Sequence, residues 1–254
     1  MAALDWLVAR PIAHRGLHDR SLGVIENTPS AVARALEHGL SVEIDVQLTG
    51  DGDAVVFHDA TLDRLTEATG RVSGMPLQDL RKVVFRETAD RIWTLDDCLD
   101  LIGGRQALVV EIKSDFDGDM RLARLVADRL RLRGGPVAAK SFDPRAVRAI
   151  AASAPRLPRG IVGEAFADDD PHWAGLSGFE RFKARNLLHW PLTRPQFLSW
   201  HVRDVGRRAI RLARAAGLPV MTWTVRTPED QAYAALYADQ MIFEGFMPDG
   251  VVRT

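Results

Sequence analysis

The sequence predicts an α/β fold of one architecture, a (β/α)8 TIM barrel with a short extra β-hairpin after the second strand. Three observations predict it. Short β-branched runs alternate with longer helical patterns from one end of the chain to the other, the runs number eight, and 254 residues with 46% hydrophobic content suit one such domain. A doubly wound open sheet is the other arrangement that this alternation permits. No linker, low-complexity tract or internal repeat divides residues 1–254, so a single barrel domain is expected.

The first run, RPIAH at 10–14, stops at a tight turn marked by Gly16, so His14 and Arg15 project from the rim of a sheet. TPSAVARALEHG at 28–39 reads as a helix, with Thr28 as N-cap, Pro29 at the first helical position and Gly39 closing it. SVEIDVQL at 41–48 is the second strand. Asp51-Gly52 then makes a hairpin-type turn, and AVVFH at 54–58 returns along it and ends at His58. ALVVEIK at 107–113 follows, then a helix over 119–134 with Leu122, Leu125, Val126 and Leu130 on one stripe. The remaining strands are expected at PVAAKSF, RGIVG, ARNLLHW (184–190), PVMTWTV (219–225) and QMIF (240–243).

Charge and composition exclude several classes. Lys and Arg total 33 against 34 Asp and Glu, a net charge of −1 that gives no sign of nucleic-acid binding. Arg203, Arg207, Arg208, Arg211 and Arg214 have the spacing of a solvated helix face. Cys98 is alone, so no intrachain disulfide forms. MAALDWLVAR lacks a basic n-region and carries Asp5 inside its apolar stretch, and no window approaches the ~20 apolar residues of a membrane span. A cytoplasmic protein without stable membrane insertion is expected; the sequence carries no signal of oligomeric state.

Strand alternation places Val42, Ile44 and Val46 on one face and Glu43, Asp45 and Gln47 on the other; Val110 and Ile112 likewise oppose Glu111 and Lys113. In a parallel barrel the apolar faces pack on helices and the charged faces look into the lumen. Three carboxylates converging there repel one another unless a cation shares them, so Glu43, Asp45 and Glu111 imply a metal. An all-oxygen donor set favours Mg²⁺ or Ca²⁺. Lys113 adds positive charge at the same mouth, and the planar fork of Arg15 suits phosphate oxygens.

Together the fragments AHRG (13–16), ENTPSA (26–31), EIDVQLTGDGDAVVFHDATLDRLT (43–66), GRV (70–72), EIK (111–113), SFDP (141–144) and WTV (223–225) resemble the glycerophosphodiester phosphodiesterase family, in family order along nearly the whole chain. The resemblance implies a (β/α)8 barrel that uses two histidines and a divalent metal to split a small-molecule phosphodiester. It places the catalytic pair at His14 and His58 and the metal carboxylates at Glu43, Asp45 and Glu111. Arg15 and Lys113 take the place of phosphate-contacting cations, Trp223 that of an aromatic at the pocket wall, and Asp63 that of a carboxylate orienting the second histidine. The chain departs from the common I-T-D-x-P ending, with IFEGFMP at 242–248, so the last loop receives no assigned contact.

His18 is expected to top the loop after the first strand, and His38, His172, His189 and His201 to be structural or superficial. Glu26 and Asn27 are expected to cap and brace the first helix. The segment 164–183, with Asp168, Asp169, Asp170, Phe166, Trp173, Phe179 and Phe182, either docks a helix or overhangs the pocket. In the second case it favours a small glycerophosphodiester with a neutral or cationic alcohol, such as glycerophosphocholine or glycerophosphoethanolamine. The rival activities are a lysophospholipase D or sphingomyelinase D type of hydrolysis on the same residues, or a non-catalytic barrel that binds a phosphorylated ligand.

Overall fold

The structure, a computed structural model, describes residues 4–167, 169–170 and 173–248; Asp168 and His172 therefore lie outside the described residues. Strands and helices alternate as the sequence pattern requires. In chain order they are α1 (Asp5–Val8), β1 (Ile12–Ala13), α2 (Pro29–Glu37), β2 (Ser41–Leu48), β3 (Ala54–Val56), α3 (Leu77–Leu80), α4 (Leu95–Ile102), β4 (Leu108–Ile112) and α5 (Arg121–Arg133). They continue with β5 (Val137–Ser141), α6 (Pro144–Ser153), β6 (Arg159–Gly163), α7 (Gly178–Arg185), α8 (Trp190–Thr193), β7 (Phe197–His201), α9 (Arg208–Ala215), β8 (Val220–Val225), α10 (Pro228–Tyr237) and β9 (Gln240–Phe243).

Eight strands pair in parallel in the order β1-β2-β4-β5-β6-β7-β8-β9, and β9 pairs back to β1, which closes the barrel. The ninth, β3, lies antiparallel on β2 with Val46 opposite Val56, as the Asp51-Gly52 turn dictates. The outward Val42, Ile44, Val46, Val110 and Ile112 join one core with Val32 and Ala35 of α2, Leu99 of α4 and Val126 of α5. Inside, residues near the starts of the strands, among them Ile12, Val109, Phe197 and Met221, each the first or second of its strand, form a separate cluster closed by Leu7 of α1. The lumen is thus plugged at the strands' N-terminal ends, and its polar side chains are left at the other end. Among the described residues no helix is long and apolar enough to cross a membrane.

One strand lies elsewhere than expected. ARNLLHW is the end of α7, a turn and the start of α8, because the Ser177–Glu180 capping box launches a helix through the segment. The seventh strand is FLSWH, at 197–201. Its large rings fit against two glycines of β6: a Cβ on Gly160 would lie 2.1 Å from the Phe197 ring, and one on Gly163 would lie 2.3 Å from that of Trp200. The arginine cluster is corrected too, since Arg203 and Arg207 precede α9 rather than share its face.

Candidate active site

His14 and Arg15 follow β1 directly, where the chain turns back under α2. Arg15 sits in the left-handed region at φ 56 and Gly16 at φ 80, with a Cβ on Gly16 only 2.7 Å from the Ala31 backbone. The strained arginine is pinned by its own backbone: its N–H donates to Glu43 Oε2 at 3.2 Å, and its carbonyl accepts from Asn27 N at 2.9 Å. The turn thereby aims the guanidinium at the carboxylates.

Glu43 and Asp45 on β2 and Glu111 on β4 point into the barrel mouth and are 0%, 1% and 5% exposed. One oxygen from each lies within 4.8 Å of the others. Three oxygen donors so gathered fit a hard divalent cation. The protein also supplies its own compensation. Lys140 of β5 places Nζ 2.9 Å from Glu43 Oε1 and 3.1 Å from Glu111 Oε2, and Lys113 lies 2.7 Å from Asp45 Oδ1 and 2.6 Å from Glu111 Oε1. Burial opposes charge on Lys140, but Glu43 and Glu111 outweigh it and hold the ammonium protonated. The repulsion that the sequence reading gave to a metal alone is therefore shared by two lysines, one of which, Lys140, that reading missed.

Burial would raise the Asp45 carboxyl, but Lys113, His58, Arg15 and His14 together hold it well below the usual range. Burial likewise opposes ionisation of Glu111, and the two lysines bring it down to about 2. Both histidines thus face the carboxylate cluster, and each is anchored through Nδ1. His14 Nδ1 lies 2.5 Å from Oε2 of Glu244, just past β9, and Arg226 Nε donates to Glu244 Oε1 at 2.7 Å. His58 Nδ1 lies 2.7 Å from Asp59 Oδ1, while Arg64 Nε donates to Asp59 Oδ2 at 2.6 Å. A carboxylate only accepts, so each Nδ1 carries the proton and each Nε2 is left for other work. Burial would raise Glu244, but the hydrogen bonds from His14 and His18 hold it far below the ordinary carboxylate range.

The cleft above this cluster encloses about 830 Å³. His14, Arg15, Asp45, His58, Glu111, Lys113 and Trp223 line it, and Glu43 lies beneath. Trp223 donates its indole N–H to the Ser199 carbonyl at 3.0 Å and packs edge-on against Phe142.

Several expected roles change. Asp63 accepts from Gly70 N at 3.2 Å, and Asp59 takes the place beside His58 expected of it. Glu26 holds Arg15 at 2.6 Å and Arg64 at 2.7 Å, and Asn27 donates to Asp45 at 2.9 Å, so both brace the cleft, and Thr28 alone caps α2. His201, expected to be structural or superficial, lines the cleft 5.1 Å from the Trp223 ring. His18 lies 3.6 Å from Glu244. Burial pushes His189 down to about 4, and its Nδ1 lies 3.2 Å from Thr193 Oγ1. The segment after β6 divides: Phe166 and Trp173 pack in the core, Glu164, Asp170 and Trp173 line the cleft, and Phe179 and Phe182 face outward.

Residues 14–251 match the profile of the Glycerophosphoryl diester phosphodiesterase family. The glycerophosphodiester phosphodiesterase of Caldanaerobacter subterraneus is 45% identical over 111 residues, which cover 41% of this chain and 44% of the relative. Human glycerophosphodiester phosphodiesterase 1 is 42% identical over 74 residues, 28% of this chain and 21% of the relative. The match spans less than half the length of either relative. An Oleispira antarctica phosphodiesterase, solved in complex with the product sn-glycerol-3-phosphate, shares the fold with a TM-score of 0.76 at 23% identity, covering 94% of each chain.

Proposed function

The chain belongs to the Glycerophosphoryl diester phosphodiesterase family, and from that premise we propose that it hydrolyses small glycerophosphodiesters to sn-glycerol 3-phosphate and a free alcohol, with His14 and His58 as the general acid–base pair. The observation that carries this reading is the pair of carboxylate-anchored imidazoles, His14–Glu244 and His58–Asp59, in the cleft that holds the acidic cluster. Arg15 and Lys113 take the phosphate oxygens. One imidazole accepts a proton through Nε2 from the attacking water, or from a neighbouring substrate hydroxyl in a cyclic-phosphate route, as its oxygen bonds to phosphorus. The other donates a proton to the departing alkoxide as the phosphorus–oxygen bond breaks. Glu43, Asp45 and Glu111 would hold a divalent cation, Mg²⁺ or Ca²⁺ by the all-oxygen donor set, which would neutralise the phosphoryl charge.

The far wall supports a cationic alcohol. Trp223 and Phe142 offer ring surface, and Glu164 and Asp170 offer negative charge, within the same cleft. Aromatic faces beside carboxylates suit a quaternary or primary ammonium, which favours glycerophosphocholine and glycerophosphoethanolamine. The test compares these two with glycerophosphoinositol and lysophospholipids, with divalent cation present, by the rate of release of the free alcohol and of sn-glycerol 3-phosphate. Preference for the small cationic esters supports the reading. A higher kcat/KM for the acylated substrates replaces it with a lysophospholipase D activity.

A further inference from the structure

The connection from β6 to β7 turns an apolar and cationic face outward. Phe179 and Leu192 are 68% and 64% exposed, and Phe182 and Leu188 are exposed as well. Phe179 and Phe182 stand three residues apart in α7 and so share one side of it. Lys183 Nζ lies 4.8 Å from the centroid of the Phe179 ring, and the Arg185 guanidinium 5.6 Å from that of Phe182. Charge is concentrated here too. Residues 178–196, from α7 to the start of β7, carry four Lys and Arg against one Asp or Glu, although the whole chain holds 33 against 34.

We infer that this segment docks the protein on a bilayer containing anionic phospholipid. The four apolar side chains enter the headgroup region, and Lys183 and Arg185, whose charges lie over the rings, reach the lipid phosphates. An acidic protein or a nucleic acid would use the cations but leave the rings and leucines without a partner; an anionic lipid surface uses both. Docking also sets the cleft at the membrane, since the same connection supplies Trp173 to the cleft wall and Arg181 of α7 donates to the Trp173 carbonyl at 3.2 Å. The inference concerns where the protein works and holds whichever ester it cleaves.

The test is sedimentation of the full chain with phosphatidylcholine vesicles, with and without about 30 mol% phosphatidylserine. The chain is expected to partition onto the anionic vesicles and to be released by salt. F179S/F182S should weaken that partition by a factor on the order of 10 or more, and K183E/R185E by a similar factor. All four positions lie away from the cleft lining, so turnover of a soluble glycerophosphodiester and the melting temperature should stay at wild-type values. Wild-type chain that remains in the supernatant with both vesicles, or partition unaltered in F179S/F182S, would overturn the inference. The soluble assay, read on the same preparations, keeps this outcome separate from the hydrolytic assignment.

Discussion

His14 and Glu244 stand 230 residues apart in the chain and 2.5 Å apart in space, joined because β9 pairs with β1 to close the barrel. The His58–Asp59 contact repeats the device on the other imidazole, and an arginine holds each carboxylate from behind. Each histidine is thereby fixed in ring orientation and tautomer before substrate arrives.

If Glu244 acts by orienting His14, Glu244→Ala should lower kcat by a factor on the order of 10 to 10², with KM little changed. Glu244→Gln keeps an acceptor for Nδ1–H and should recover part of the loss. Steady-state kinetics on the two variants, with a pH profile, check this. Equal losses in both, or none in either, would remove Glu244 from the positioning role.

Chelation should abolish turnover, and Mg²⁺ or Ca²⁺ should restore it better than a softer metal does. Glu43→Gln and Asp45→Asn should each raise the metal concentration needed for half-maximal rate. Titration of activity with each ion provides the measurement. Full activity in excess chelator would contradict the metal assignment.

Lys140 is 1% exposed and neutralises two buried carboxylates, so Lys140→Met should cost about 3 to 5 kcal/mol of stability. Added divalent cation should return part of the lost melting temperature, because it replaces the missing charge beside Glu43 and Glu111. A variant as stable as wild type in chelator would show that the carboxylates need no such partner.

The inward carboxylates were legible in the sequence because a strand's period of two separates EIDVQ and VVEIK cleanly into apolar and charged faces. The partners of the histidines were not. Glu244 meets His14 only through ring closure, although QMIF and RPIAH as last and first strands carried that signal. Asp59 was passed over for Asp63 because its role depends on the turn of the chain after β3 rather than on spacing. Lys140 hid inside PVAAKSF, where one lysine in a small apolar run shows neither its inward direction nor its partners. FLSWH escaped for a related reason: Leu187, Leu188 and Trp190 mimic a strand, and only the Ser177–Glu180 cap reveals the helix before them.

Acid should loosen the cleft through Glu26. Burial would raise its carboxyl, but the hydrogen bond from Arg64 and the charge of Arg15 bring it from 4.5 to about 2. A carboxylate with a depressed folded-state pKa contributes its stabilisation above the unfolded value and loses it as pH falls towards the folded one. Wild-type stability should therefore fall between about pH 4.5 and 2, by up to roughly 3 kcal/mol from this group. Glu26→Gln should be less stable at pH 7 and flatter over that window. Denaturant unfolding at a series of pH values measures both, and an unchanged slope would refute the assignment.

In the proposed mechanism His14 and His58 together move the protons of phosphodiester hydrolysis. Its most direct test is the release of sn-glycerol 3-phosphate from glycerophosphocholine by His14→Ala and His58→Ala, each shown to be folded and supplied with divalent cation. Each variant should lose turnover by a factor on the order of 10² or more. Turnover near the wild-type rate in either folded variant would contradict it.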